Sequence, residues 1–326
     1  MSDRRVIGVD MGGTKLLAGL VDAGLSVHHR TQVTVRGLPR EDLLDTVHSA
    51  VQEAINAADG AVDAVGFGIP SLIDRRTDTS VMAVHLDLAG VPFAEVMSQR
   101  LGVPCWIDND GNLAALAEHR AGAAQGYGHV VVLALGTGIA GGLILDGALY
   151  RGSIGAGAEL GHMVIQADGP PCQGNCPNRG CFEVMASGTA LVREAQRIGW
   201  SQPHSALGRA VAQEREPLGP IVTELAHAGD AAALAVIALI GTRLGIACAN
   251  CVNIFNPEVI VVGGGVIGAG ELLLGPARAE MLARALPPSR DTVRIVAARF
   301  AHEAGMLGAA VLALDALDAH DMKAGK

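Results

Sequence analysis

Aromatic side chains are scarce: two Trp, two Tyr and five Phe amount to 3% of 326 residues. That scarcity excludes the stacked aromatic platforms on which single-stranded nucleic acids are held. A basic face is missing as well. The net charge is -9 with no cluster of Lys or Arg, so nothing would displace the counterions of a nucleic acid. Although the mean hydropathy is +0.35, no stretch offers the ~20 uninterrupted apolar residues of a membrane span. The most apolar run, residues 130–145, is broken by Gly136, Gly138, Gly141 and Gly142. The opening MSDRRVIGVD goes straight into a strand pattern and leaves no room for a secretory leader. The Walker pattern GxxxxGK[ST] is absent, and the cysteine-rich stretch 172–181 holds no CxxC pair.

Hydrophobic residues, by contrast, make up 50% of the chain and charged residues only 17%, ample material for buried sheets. A chain of 326 residues exceeds one ordinary core, and two domains follow. Residues 6–10 (VIGVD) form an apolar run ending in a carboxylate; Gly12, Gly13, Thr14 and Lys15 lead into a second run at 16–21. Strand, glycine turn, strand is a hairpin whose tip exposes backbone N–H groups to a phosphate. Asp10 at the strand end is placed to hold Mg²⁺ beside it. The pattern recurs at 131–145: VVLAL, then Gly136, Thr137 and Gly138, then a second apolar strand and a turn at Asp146-Gly147. Two homologous halves, each presenting a phosphate-sized tip, would face each other across a cleft.

Between the tips, residues 41–58 show helical spacing, 62–69 read as a buried strand before Pro70, and 103–107 as another. Alternating strands and helices imply an α/β fold with ligands beyond the carboxyl ends of the strands. The strand at 103–107 delivers Asp108, Asn109 and Asp110 to such an end, ahead of a helix at 112–121. Asp110 fits a general base and equally a helix cap; the local sequence allows both. Further on, 203–229 read as a helix with loops, Asp230 caps a long helix to about Asn253, and 259–262 form a buried strand before the glycine run at 263–270. A last strand at 293–298 and a helix from about His302 to Leu317 follow, with DMKAGK as a frayed tail.

Residues 159–183, ELGHMVIQADGPPCQGNCPNRGCFE, gather His162, Cys172, Cys176 and Cys181 among Gly and Pro. Three thiolates and an imidazole suit tetrahedral zinc, and four protein ligands make the site closed and structural. The alternative is three reduced cysteines in a surface loop. Cys105, Cys248 and Cys251 stand in apolar contexts and read as reduced core residues, which points to the cytoplasm.

Together these residues resemble the ROK family of sugar kinases and repressors, in the actin-like ATPase superfamily. DMGGTK (10–15) resembles the first phosphate motif, GTG (136–138) the second, and NPEVIVVGGGV (256–266), with Gly264 and Gly265, the adenosine region. GAELGH (157–162) and CPNRGCFE (176–183) resemble the ExGH and CxxxGCxE signatures. The resemblance implies a two-domain, duplicated ribonuclease H-like fold. It implies zinc on His162 and the three cysteines, and a sugar pocket of Asn109, Asp110 (the base), Glu159, His162 and Glu183. One ring nitrogen of His162 would bind the metal and the other a sugar hydroxyl. Three positions depart from the family: Cys172 replaces a cysteine expected at Gly174, Ser71 stands in the GIPG turn, and His85 takes the place of a hexose-contacting asparagine.

The expected organisation is an N-terminal α/β domain over 1–117, completed by a helix at 303–326, and a C-terminal α/β domain over 118–302 that carries the zinc segment. The expected function is ATP- and Mg²⁺-dependent phosphorylation of a hexose, glucose first, with domain closure to exclude water. An N-acetylmannosamine, fructose, mannose or allose kinase is the alternative within that class. A sugar-responsive repressor is the alternative outside it, but a repressor needs a DNA-binding segment ahead of the first phosphate motif, which here begins at residue 10. The resemblance also implies a homodimer or homotetramer, with no nucleic-acid or membrane partner.

Overall fold

The computed structural model describes residues 4–58, 61–77, 79–83 and 86–324. In chain order the strands are β1 (Arg5–Met11), β2 (Lys15–Asp22), β3 (Val27–Thr34), β4 (Ala64–Ile69), β5 (Ser71–Asp74), β6 (Thr79–Ala83), β7 (Cys105–Asn109), β8 (Val130–Leu135), β9 (Ile139–Leu145), β10 (Ala148–Leu149), β11 (Val259–Gly263) and β12 (Arg294–Ala297). The helices are α1 (Arg40–Asn56), α2 (Phe93–Leu101), α3 (Asp110–Ala121), α4 (Phe182–Ala186), α5 (Gly188–Ser201), α6 (Ala206–Ala212), α7 (Leu218–His227), α8 (Ala231–Phe255), α9 (Glu271–Arg284), α10 (Ser289–Thr292) and α11 (Ala304–Ala324). Two compact units result: Met1–Gln125 with Leu149–Ala158 and His302–Lys326, and Gly126–Ala148 with Glu159–Ala301.

The first unit is built on a sheet in the order β3-β2-β1-β4-β7. Strand β1 is antiparallel to β2 and parallel to β4, and its Val6, Ile7, Val9 and Met11 are fully buried, as a central strand covered on both faces requires. Register sets Gly19, Gly8 and Gly66 side by side across β2, β1 and β4. That bare track lets α11 lie directly on the sheet: a Cβ on Gly8 would stand 2.1 Å from the Met306 carbonyl oxygen, and one on Gly66 1.9 Å from that of Ala309. Neither backbone atom has room to yield. Gly66→Ala is therefore expected to cost about 3 kcal/mol, the upper part of the usual overpacking range, read as a lower urea midpoint at unchanged slope.

The second unit repeats the plan in the order β10-β9-β8-β11-β12, again with an antiparallel hairpin, β8–β9, followed by parallel neighbours. Its core helix is α8, capped by the Asp230 carboxylate on Ala233 N–H at 2.9 Å and ended by Asn256 in the left-handed region, φ 46°. Among the described residues α8 alone is long and apolar enough to cross a bilayer. It is longer than residues 130–145, the run that stands out as most apolar in the sequence. Its composition has another cause: α4, α5, α7 and α9 all pack against it, and the broad face they bury is apolar.

Two further boundaries move. The segment 203–229 holds two helices, α6 and α7. The helix expected to end at about Leu317 runs to Ala324, into the DMKAGK tail expected to fray, and Arg4 pairs with Asp318 and Asp321 and so ties its last turns to the start of the chain.

Candidate active site

Strand β7 ends where α3 begins, and four polar residues share the junction. Asn109 is the N-cap: its side-chain oxygen accepts from the N–H groups of Gly111 at 2.9 Å and Asn112 at 3.3 Å. The two roles the sequence allowed for Asp110 thus separate. Asp110, the first residue of α3, accepts from Gly111 N–H at 2.9 Å, is also hydrogen-bonded by the Asn109 side chain, and leaves capping to that neighbour. Asp108, which sequence reasoning left without a role, is 2% exposed. It accepts from Asn109 N–H at 2.8 Å, Asn112 Nδ2 at 2.8 Å and Arg151 Nε at 2.7 Å, with Arg75 at 3.6 Å. Three hydrogen bonds and one longer ion pair on a single carboxylate hold the backbone just before Asp110. Ser71, the departure in the turn after β4, bonds Ser80 at 2.6 Å in a buried pair, and its carbonyl meets Asn109 Nδ2 at 3.4 Å.

Asp10, at the end of β1, belongs to the same unit. Burial, and then the charge of Asp110, push its carboxyl up to about 7. Burial raises Asp110 too, opposed by its bond from Gly111 N–H. Two carboxylates that resist ionising together form a ready seat for a divalent cation, which would reverse the penalty on both. At the first glycine tip Gly12 N–H is spent on the Lys15 carbonyl at 2.8 Å, and Val35 N–H holds the Thr14 carbonyl at 2.9 Å. The closed turn presents Gly13, with Thr14 and Lys15 exposed.

In the second unit the tip between β8 and β9 closes in the same manner, Gly136 N–H on the Gly138 carbonyl at 2.9 Å. Downstream residues fasten it: Gly188 N–H to the Gly136 carbonyl at 2.8 Å, Thr189 Oγ1 to the Thr137 carbonyl at 2.8 Å, and Ile139 N–H to Glu183 Oε2 at 2.8 Å. Gly264, φ 81°, passes so close over Leu135 that a Cβ would meet its backbone at 2.4 Å, whereas Gly265 faces open space. The short helical turn Leu160–His162 rests on Ile139; a Cβ on Gly161 would stand 2.3 Å from its carbonyl.

His162, Cys172, Cys176 and Cys181 converge, with all four ligand atoms within 4.8 Å of one another. Cys172 Sγ lies 3.6 Å from His162 Nδ1, and Cys176 Sγ lies 3.9 Å from Cys181 Sγ. Tetrahedral zinc with bonds of ~2.3 Å to sulfur and ~2.0 Å to nitrogen requires ligand separations of about 3.5–3.8 Å, so the donor set fits. Burial and the neighbouring thiols of Cys181 and Cys176 push Cys172 up to about 12; such a group becomes a set of thiolates only against a cation. The shifted Cys172 reaches the cluster because its loop doubles back, Cys172 N–H bonding the Asn178 carbonyl at 2.9 Å and Gly180 N–H that of Pro170 at 2.8 Å. The other ring nitrogen of His162 faces Glu159 Oε2 at 3.9 Å.

The sequence-derived site residues therefore fall into two groups, Asp10, Asn109 and Asp110 in the first unit and Glu159, His162 and Glu183 with the cysteines in the second. His85 lies outside the described residues; Asp87 beside it pairs with Arg40 at 2.9 Å. Arg151 and Thr189, missed in the sequence, carry no local signal, since each acts on a partner more than 40 residues away.

The ROK family profile matches residues 6–316. A glucokinase of Thermotoga maritima is 36% identical over 95% of this chain and 97% of its own length. The structure of a ROK family glucokinase from Streptomyces griseus in complex with glucose and AMPPNP superposes with a TM-score of 0.84 at 34% identity, covering 95% of this chain and 99% of that one. A putative xylose repressor of Caldicellulosiruptor is 29% identical over 95% of this chain and 78% of its own length. The duplicated sheets are those of the actin-like ATPase fold shared by ROK sugar kinases. With its profile matched from β1 into α11 and its glucokinase likeness running nearly end to end, this chain belongs to the ROK family.

Proposed function

We propose that the chain is an ATP-dependent hexose kinase that converts glucose to glucose 6-phosphate. The observation that carries the reading is Asp110: a carboxylate at the end of a buried strand, relieved of capping by Asn109 and raised by burial, is suited to take a proton. In the reaction the O6 hydroxyl of the sugar gives its proton to Asp110 as its oxygen bonds the γ-phosphorus, and the bond from that phosphorus to ADP breaks. Exposed donors of the Gly13-Thr14 and Thr137-Gly138 turns would hold the ATP phosphates, with Lys15 beside the first and Gly264-Gly265 at the nucleoside. Mg²⁺ on Asp10 would neutralise phosphate charge. Zinc on His162, Cys172, Cys176 and Cys181 would be structural. Asn109 in the first unit and Glu159, His162 and Glu183 in the second are the residues proposed to bind sugar hydroxyls. Six cysteines that stand free suit a reducing cytoplasm.

A sugar-responsive regulator is the second reading, motivated by the repressor relative at 29% identity. A coupled ADP-release assay over hexoses and N-acetylhexosamines separates the two. Glucose-dependent turnover is expected; rates that stay flat whatever sugar is added would remove the kinase reading.

A further inference from the structure

The two glycine tips are fastened differently. The first is closed by its own hairpin and by Val35, the residue after β3. The second is gripped by one downstream segment, residues 183–189, through the three bonds of Glu183, Gly188 and Thr189 at 2.8 Å each. Contact is close enough that a Cβ on Gly138 would stand 2.3 Å from Glu183 Oε2, and one on Gly188 2.9 Å from the Gly136 carbonyl.

That segment is itself rigidly mounted. Helix α4 follows directly on Cys181, its N-cap and a member of the thiol cluster, and its last carbonyls are held by guanidinium groups: Arg193 on Val184 and Arg243 on Met185, both at 2.8 Å. Both arginines lean on Glu194, a carboxylate 6% exposed that also holds Arg197 at 2.8 Å. Helix α5 then begins at Gly188 behind its cap Ser187.

We propose that Glu183 and Thr189 are positioning residues of the second phosphate tip, and that Glu183 joins the sugar and nucleotide ends of the reaction in one carboxylate. The inference rests on the reading that Gly136–Gly138 receives ATP phosphates. A turn of small residues has little stiffness of its own, and its N–H groups stabilise a phosphate in proportion to how well they are held before it arrives. Thr189 fixes the Thr137–Gly138 peptide from its carbonyl side; Glu183 fixes the next peptide, Gly138–Ile139, from its N–H side. Since Oε2 is committed to Ile139, Oε1 is the atom Glu183 offers to a sugar hydroxyl. Strain imposed by one ligand is thus felt at the other.

The test is calorimetric binding to the full chain of Mg·AMPPNP without sugar and, separately, of glucose without nucleotide. Thr189→Val is expected to weaken nucleotide binding about fivefold, as the loss of one ordinary hydrogen bond does, with glucose affinity held within about twofold. Thr189→Ser restores the hydroxyl and should recover the nucleotide. Glu183→Ala removes a charge-assisted bond and should weaken both ligands by about tenfold or more. Should Glu183→Ala fail to fold, the Thr189 pair decides alone. Nucleotide binding equal to wild type in Thr189→Val overturns the clamp, even if the melting temperature falls. If the parent chain binds nucleotide but not glucose, the sugar assignment fails while the Thr189 arm still tests the clamp; a parent that binds no nucleotide ends both.

Discussion

Asp110→Asn is expected to lower kcat for glucose phosphorylation by about 10²–10⁴-fold, the range a positioned general base supplies. Asparagine keeps the size of the side chain and can still accept the Gly111 N–H bond, so α3, capped by Asn109, should remain intact. The melting temperature should therefore barely move, and loss of activity without loss of fold identifies the proton acceptor. A variant that keeps a tenth or more of the parent rate would assign the base elsewhere. The pH profile carries the same information. Asp110 and Asp10 are both raised, the latter to about 7, so activity should climb with pH through an acid limb near neutrality. Added Mg²⁺ should move that limb to lower pH, because a cation favours ionised Asp10. For stability the sign is opposite. A carboxyl whose folded value is raised from 3.8 to about 7 binds its proton more tightly when folded, so its contribution is present at low pH and is lost as pH rises through about 7.

How far the sequence revealed this arrangement depends on the range of each interaction. The duplication was legible because the apolar run, the glycine tip and the second strand are local, and β1–β2 and β8–β9 are the hairpins they encode. Asp230 marked the start of α8 because caps act within four residues. What stayed hidden is pairing at a distance. Nothing near Asp108 announces Arg151, nothing near Thr137 announces Thr189, and Arg4 holds the far end of α11 across more than 300 residues. The glycine track was hidden for a related reason: Gly8, Gly19 and Gly66 acquire meaning only once strand register sets them in one row beneath α11. Asp110 sits between these cases, since setting the cap aside needed only the knowledge that Asn109 fills that place.

Removing the metal should have the widest effect of all. Metal analysis of the purified chain is expected to find about one zinc per molecule, and either a strong chelator or Cys176→Ala should lower the melting temperature by on the order of 10 °C. That figure follows from a loss of about 4 kcal/mol, well below the ~10–16 kcal/mol of structural zinc in small peptides, at about 2–4 °C per kcal/mol for a domain of this size. The loss should be partial, since the segment also has backbone bonds of its own, such as Cys172 N–H to the Asn178 carbonyl at 2.9 Å and Phe182 N–H to the Met163 carbonyl at 2.7 Å, and a small apolar cluster of Val184, Met185 and Ile165 with the cysteines themselves. Thermal loss should be accompanied by weaker glucose binding, because His162 Nδ1 faces the thiols while Nε2 faces Glu159, and Cys181 fixes the start of the helix that carries Glu183. If Glu183 also steadies the Gly136–Gly138 tip, nucleotide affinity should fall with it, a result that a metal serving only the sugar side would not produce. Absence of zinc, or a Cys176→Ala chain that melts and binds glucose like its parent, would reduce the cluster to four neighbouring side chains with no structural duty.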